Sequence, residues 1–331
     1  MGISKKSWTG FAVETTPGTP ILVPTKYHPC KSSVDNQKKF IYLSEDRGSR
    51  DANTQRKASV RAASGQINGS FYLDTSPYLL YGFMGADTVT TPDPTNAPAA
   101  RKHAFALADV PPAFTVLKGY DVAGYYAAYA AIEKLSYTWA ADNKLLEETA
   151  NFQSRYMQKM QPADFTTANA PVYSAATAGD GVLFAGYMPT IKLDNVATSI
   201  IEEITLEFSQ QLTLFYAING SQDFVKIYYG DRDAKISFTA SFDDTNFWDK
   251  YDTEVDQHLN IQFLGRTIGG VGSTAVEELS FDFPIVGWDE SSIDNSKEYI
   301  QISAKGVARP GTTLNSTFTA TVVNNVLTYT S

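Results

Sequence analysis

Apolar and polar residues alternate along much of this chain with a period of two. That spacing sets one face of a strand on a core and the other in water. The run Gln66-Ile67-Asn68-Gly69-Ser70-Phe71-Tyr72-Leu73-Asp74 shows it well. By the same pattern, strands are predicted over 102–107, 114–118 and 132–139 in the first half of the chain. In the second half they are predicted over 182–193, 200–214, 224–229, 234–243, 259–264, 276–283 and 299–306, with a last one near 317–323. Two breaks carry helix punctuation. Asp74, Thr75 and Ser76 offer an N-cap and Pro77 suits the first turn, which predicts a short helix over 78–84. Asp244 and Thr245 stand in the same relation to a second one over 246–251.

The stretches between these runs read as loops. Pro17, Gly18, Pro20, Pro24 and Pro29 make the first thirty residues an extended arm, because proline removes a donor and is excluded from helix interiors. Residues 44–57 mix Glu45, Asp46 and Asp51 with Arg47, Arg50, Arg56 and Lys57 and carry almost no apolar side chain, which predicts a long exposed loop or hairpin tip. Residues 88–100 read as a surface loop, and the glycines of 265–272 as a mobile hairpin loop. Residues 161–181 are rich in Ala, Thr, Pro and Gly and place the domain boundary. The division is 1–161 for the arm and a first domain, 162–181 for a linker, and 182–331 for a second domain.

The second half repeats the order of the first. Ile67 to Asp74 superposes without a gap on Ile236 to Asp243, and the same alignment sets Tyr78 over Phe247 and Leu79 over Trp248. Ile132 to Trp139 likewise superposes on Val276 to Phe283, setting Leu135 over Leu279. One such match is unremarkable for alternating strands. Two in the same order, one with a helix attached, favour duplication of a whole domain over a short solenoid unit.

Composition narrows the class. With 331 residues, 43% hydrophobic and 19% charged, the chain has material for two packed units and is not of disordered type. The 19 Tyr and 19 Phe favour strands. No apolar run approaches the roughly 20 residues of a membrane helix, and the N-terminal lysines have no apolar segment behind them, so neither a membrane span nor a secretory signal is expected. The single Cys30 cannot form an internal disulfide and fits a reducing cytoplasm. A formal charge of −9 argues against gripping nucleic acid by its phosphates, but not against letting DNA pass without sticking.

Candidate chemistry is sparse. His28, His103 and His258 are widely spaced and no metal-binding or nucleophile-elbow motif is present, so no catalytic, cofactor or metal site is expected. The glycines of 265–272 lack the Lys-Ser/Thr ending of a phosphate cradle. Glu147 with Glu148, Glu202 with Glu203, Glu277 with Glu278 and Asp243 with Asp244 could supply a glycosidase pair. On strands, however, neighbours face opposite ways, so at most one of each could reach a shared site.

The segment Glu14-Thr15-Thr16-Pro17-Gly18-Thr19-Pro20 resembles the N-terminal segment common in tail tube proteins of long-tailed phages. Gly65 to Gly69 followed by Tyr78 to Gly85, then His103-Ala104-Phe105 and a closing stretch rich in Thr, Val and Asn, is similar to that family in order. The resemblance implies a mostly β protein of two tandem sandwich- or barrel-like tube domains, each with a short flanking helix. It implies a non-enzymatic virion component, made in the host cytoplasm, whose rings stack into the tail tube. Its partners would be itself and other tail proteins such as the tape measure and tail terminator, with DNA crossing the lumen without specific binding and no membrane involved. Single-domain members form hexameric rings, so a duplicated chain needs three copies for a pseudo-sixfold ring, with a homohexamer as the alternative. In the family a long loop reaches the neighbouring ring, which here points to Glu45, Asp46, Arg47, Arg50, Asp51, Arg56 and Lys57. A carbohydrate-binding or adhesin-like tandem sandwich is the alternative function.

Overall fold

A computed structural model describes residues 6–44, 55–142, 144–168, 183–243, 246–295, 298–311 and 316–329. In the first half the elements are β1 (Trp8–Val13), β2 (Lys26–His28), β3 (Lys31–Leu43), β4 (Gln55–Ser70), α1 (Pro77–Met84), β5 (Gly85–Thr90) and β6 (Arg101–Leu107). They are followed by β7 (Phe114–Tyr120), β8 (Ala123–Ala140), β9 (Glu147–Ser154), β10 (Gln158–Lys159) and α2 (Pro162–Ala168). The second half contains β11 (Thr190–Leu193), β12 (Val196–Thr198), β13 (Ile201–Phe215), β14 (Lys226–Ser241), α3 (Asn246–Asp252), β15 (Gln257–Thr267), β16 (Val276–Asp294), β17 (Gln301–Arg309) and β18 (Thr319–Asn324).

Two very long strands organise the sheets, because each changes partners midway. The N-terminal part of β8 pairs with β7, and β7 leads on to β1 and β2; its C-terminal part pairs with β9, which leads on to β4 and β3. In the same way, the start of β16 pairs with β15, leading to β11 and β12, and its end pairs with β17, leading to β14 and β13. The order β2-β1-β7-β8-β9-β4-β3 therefore recurs as β12-β11-β15-β16-β17-β14-β13. The short strands β10 and β18 add to the early parts of β8 and β16 respectively. α1 follows β4 as α3 follows β14, and the hairpin β5–β6 is extra to the first half.

The first sequence superposition agrees with this connectivity, since Ile67 and Ile236 lie on β4 and β14 and Tyr78 and Phe247 are both buried on their helices. The second is displaced along the strand. Ile67 pairs with Ala150, which pairs with Leu135; Ile236 pairs with Gly306, which pairs with Trp288. Leu135 thus stands level with Trp288, not with Leu279. Alternation does not reveal this nine-residue slide, because the inward positions of β16 change parity at Pro284–Ile285, from Leu279, Phe281 and Phe283 to Val286 and Trp288.

Other expectations change in detail. Trp8 to Val13 form a buried strand inside the predicted arm, because the six residues before the first proline run are apolar or small. β5 enters the predicted loop 88–100, whose Asp93, Ala97 and Ala100 are buried. The runs 224–229 and 234–243 join into one strand, β14, whereas only Thr190–Leu193 of 182–193 is a strand. α2 occupies the start of the predicted linker; residues 169–182 lie outside the described residues. Ser76 stands at the N-cap of α1 without capping it. Its hydroxyl is turned to the Glu148 carboxylate and accepts the Tyr72 N–H at 2.8 Å, and burial makes those partners the better use of it.

The separate cores anticipated for the two halves are joined into one. Phe208 of β13 stacks on Phe318 with ring centroids 4.2 Å apart and meets Phe281, Phe83 and Tyr137 at 5.9, 6.1 and 6.2 Å. Beyond β18, Tyr329 packs among Tyr78, His103 and Phe105 of the first half, at 4.8, 4.5 and 5.6 Å. Asn324 donates to the Leu73 carbonyl at 2.7 Å. The end of the chain is thereby built into its beginning.

Candidate assembly surfaces

Two repeats of one topology lie side by side in this chain, so the contact between them shows how such units join. β13 runs antiparallel to the C-terminal part of β8, with Leu206 opposite Tyr137, Phe208 opposite Leu135 and Glu207 opposite Ser136. The inward side chains Ile204, Leu206, Phe208, Leu135, Tyr137 and Trp139 are all buried. On the outer face Lys134 meets Glu207 at 2.7 Å and Lys144 meets Glu203 at 3.3 Å. Such half-exposed pairs fix register more than they add stability, at about 0–1 kcal/mol each. Gln210 closes the seam by donating its side-chain amide to the Ile132 carbonyl at 2.5 Å.

Beyond the seam, the β13–β14 hairpin lies over the first repeat. Phe224 and Ile227 are buried against Ala62, Ala113, Tyr129 and Ala131. Arg61 donates two hydrogen bonds of 2.7 Å to the Asp223 carboxylate, in the forked geometry that suits guanidinium. Arg155 holds its guanidinium 5.4 Å from the Tyr129 ring and 5.8 Å from that of Phe224. This corner also explains the Glu14-to-Thr19 segment. Tyr129 has a positive φ of 52° where β8 changes partners, and its freed N–H donates to Glu14 at 2.8 Å. The same carboxylate accepts from the Thr115 hydroxyl at 2.7 Å and the Gly18 N–H at 2.5 Å. Burial pushes the Glu14 carboxyl above its usual range, and the bonds from Tyr129, Thr115 and Gly18 oppose that shift.

A second junction joins β18 to β6. There Asp93 accepts the Asn96 and Thr274 N–H groups at 2.9 Å and that of Thr95 at 3.2 Å, and these bonds hold its carboxyl down at about 2. Asn96 donates to the Gly272 carbonyl at 3.3 Å, and Gly269, at φ 96°, lies against Asn96 and Ala97. The glycine-rich segment is thus the β15–β16 turn, tied to the first half; its glycines serve close approach and positive φ.

Two of the open sheet edges are formed by long strands. Among the described residues β3 pairs only with β4, and the last part of β16, from Gly287 to Asp294, pairs only with β17. Beside the second edge Ile293 is 46% exposed although its neighbour across β17, Ile302, is buried, and the Ser291 hydroxyl is buried without a hydrogen-bond partner. On the first edge, β3 ends in Phe40, Ile41, Tyr42 and Leu43, all exposed. These four consecutive apolar residues, next to Lys38 and Lys39, break the alternation of the strand.

Of the predicted contact residues, Arg56 and Lys57 lie in β4 and not in a loop, opposite Tyr42 and Ile41, and are exposed. The strand continues there because its partner residues are β-formers. The Arg56 guanidinium sits 4.9 Å over the Phe40 ring. Glu45, Asp46, Arg47, Arg50 and Asp51 lie outside the described residues.

The structure does not bring the three histidines together. His28 lies 3.0 Å from Glu148, His103 is 2.8 Å from Asp87, and His258 is 2.8 Å from Asp282. No group of three or more potential metal ligands occurs among the described residues. Glu147 is exposed while Glu148 is buried, the opposed facing expected of strand neighbours.

Residues 9–308 match the family model described as phage tail tube protein. Among curated proteins, none matches the chain.

Proposed function

Because the chain belongs to the phage tail tube protein family, and is thus a structural component of the virion tail that assembles with other tail components, we propose that three copies close a ring with pseudo-sixfold symmetry and that rings stack into the tube. One observation carries this reading: the strand order of the first half recurs in the second, and the two repeats are already joined edge to edge through β8 and β13. A unit that joins its own copy within the chain has the geometry to join further copies between chains, and heterologous contacts close a ring when the rotation allows. Three chains then present six repeats. The same topology supports duplication of one ancestral tube domain. The match gives the carbohydrate-binding alternative no support.

The ring encloses the path for DNA ejection in a long-tailed phage. We read its wall as net acidic, following the chain's −9 charge, so that DNA phosphates gain no counterion-releasing contacts. Lys38 and Lys39 fit a place away from the lumen, on the exposed β3–β4 hairpin, and Lys6 is paired with Asp121 at 3.2 Å.

The β3–β4 hairpin, with the charged segment 44–57, contacts the next ring. Opposite charges across such an interface steer association and fix register, at about 0.2–1 kcal/mol per rim pair. Replacing residues 44–57 by a short Gly-Ser linker is expected to leave folded subunits and rings, but to abolish long tubes in negative-stain micrographs. Tubes of normal length and salt resistance from that variant would remove the stacking role. Failure of the unchanged chain to form tubes at any concentration would remove the function itself.

A further inference from the structure

The seam within the chain is a template for the seam between chains. β3 holds in the first repeat the place that β13 holds in the second, and the end of β16 holds the place of the end of β8. The C-terminal part of β8 pairs with β13, whereas among the described residues β16 from Gly287 onward pairs only with β17 and β3 pairs only with β4. We propose that residues 30–35 of one copy pair antiparallel with residues 287–293 of the next, repeating the β13–β8 seam residue for residue. The inference rests on the ring proposed above and names the edges and register that close it.

The register follows from hydrogen-bonded partners. Ser33 faces Gln66 as Glu207 faces Lys235, so Ser33 takes the place of Glu207. Ser136 reaches Asn68 through Thr149, and Glu290 reaches Ser237 through Lys305, so Glu290 takes the place of Ser136. Glu207 faces Ser136 within the chain, so Ser33 faces Glu290 between chains. The same construction sets Val34 opposite Trp288, Ser32 opposite Ser291, and Cys30 opposite Ile293.

Three independent features of the open edges fit this register. Ile293 stands where Trp139 is buried by β13, and it is the residue left 46% exposed. Ser291 stands where β13 covers Tyr137, and its buried hydroxyl lacks a partner; the Ser32 oxygen opposite, which already accepts from Lys118 at 2.6 Å and meets the Thr9 hydroxyl at 2.7 Å, keeps a lone pair that can accept it. Lys31 falls diagonally between Glu290 and Asp294, as Glu207 falls diagonally to Lys134 in the existing seam. The charges are complementary with the signs exchanged, which keeps β3 from substituting for β13 on β8.

Paired cysteines test the register. Ser33→Cys and Glu290→Cys are combined in a Cys30→Ala background, so that only the two introduced thiols are present. Within one chain they lie at opposite ends of the order β3-β4-β9-β8-β13-β14-β17-β16, on the order of 30 Å apart at sheet spacing. Between chains they face each other at about 5 Å. Mild oxidation of assembled tubes is expected to convert most of the protein to covalent dimers and trimers on a non-reducing gel, while dilute subunits stay monomeric. Ser33→Cys with Asp294→Cys, about 13 Å away along the strand, is expected to give at least tenfold less. Equal crosslinking of both pairs, or none in rings that native mass shows to hold three chains, would overturn the register and leave the ring standing. Absence of such rings from the unmodified chain would count against the ring instead. Should the cysteine variants not assemble, hydrogen exchange on the unmodified chain decides: the amides of 31–35 and 287–293 are expected to slow at least tenfold on assembly, and unchanged exchange there would overturn the proposal.

Discussion

Replacing Phe208 by alanine is expected to destabilise the whole subunit by about 3–5 kcal/mol, the range for removing a fully buried phenylalanine. Phe208 is the point where the two repeats share their core. Its ring touches Phe318, Phe281 and Phe283 of the second repeat and Phe83 and Tyr137 of the first. Tyr137, Phe281 and Phe283 sit on strands and Phe83 on α1, packed elements that cannot collapse into the space, which puts the cost at the upper end of that range. Because the core is continuous, the loss is expected to appear equally in both repeats. Urea unfolding followed separately through Trp139 and Trp288 should show one shared midpoint, lowered in the variant. A midpoint that moves for one tryptophan alone would show two independent units.

Separating the repeats is expected to cost more than any point substitution. Residues 1–168 expressed alone would expose Leu135, Tyr137 and Trp139 along β8, and would lose the Tyr329 ring that fills the space between Tyr78, His103 and Phe105. Residues 183–331 alone would expose Ile204, Leu206 and Phe208 on an unpaired strand, a template for aggregation. Neither piece should show a cooperative melt, and mixing the two should restore one. A cooperative transition in either piece alone would contradict a shared core.

Much of this fold was legible in the alternation of side chains. Strands half buried against one core announce themselves in that way, as in residues 259–264 and 299–306, and both short helices carried their punctuation. The order of elements was legible too, strand then helix then strands in each half. What alternation cannot give is register: Leu135 fell over Leu279 instead of Trp288, nine residues on, because the inward positions of β16 switch parity at Pro284–Ile285 and either stretch fits the pattern. Nor can it show that a strand changes partners, as β8 does at Tyr129, since that depends on Glu14, far away in sequence. The assembly edges were hidden for a related reason. Ser33 and Glu290 are ordinary exposed residues, and what singles them out is the vacancy beside them in the sheet. Charge drew attention to residues 44–57, while the exposed apolar run from Phe40 to Leu43, just before them, broke the alternation.

The central claim is that one chain supplies two of the six repeats in a ring. Native mass measurement of rings released from tubes, with sectioned tube images to count subunits, tests it directly. Three chains per ring, each of 36.3 kDa and together showing sixfold-like features, is the predicted result; six chains per ring would contradict it.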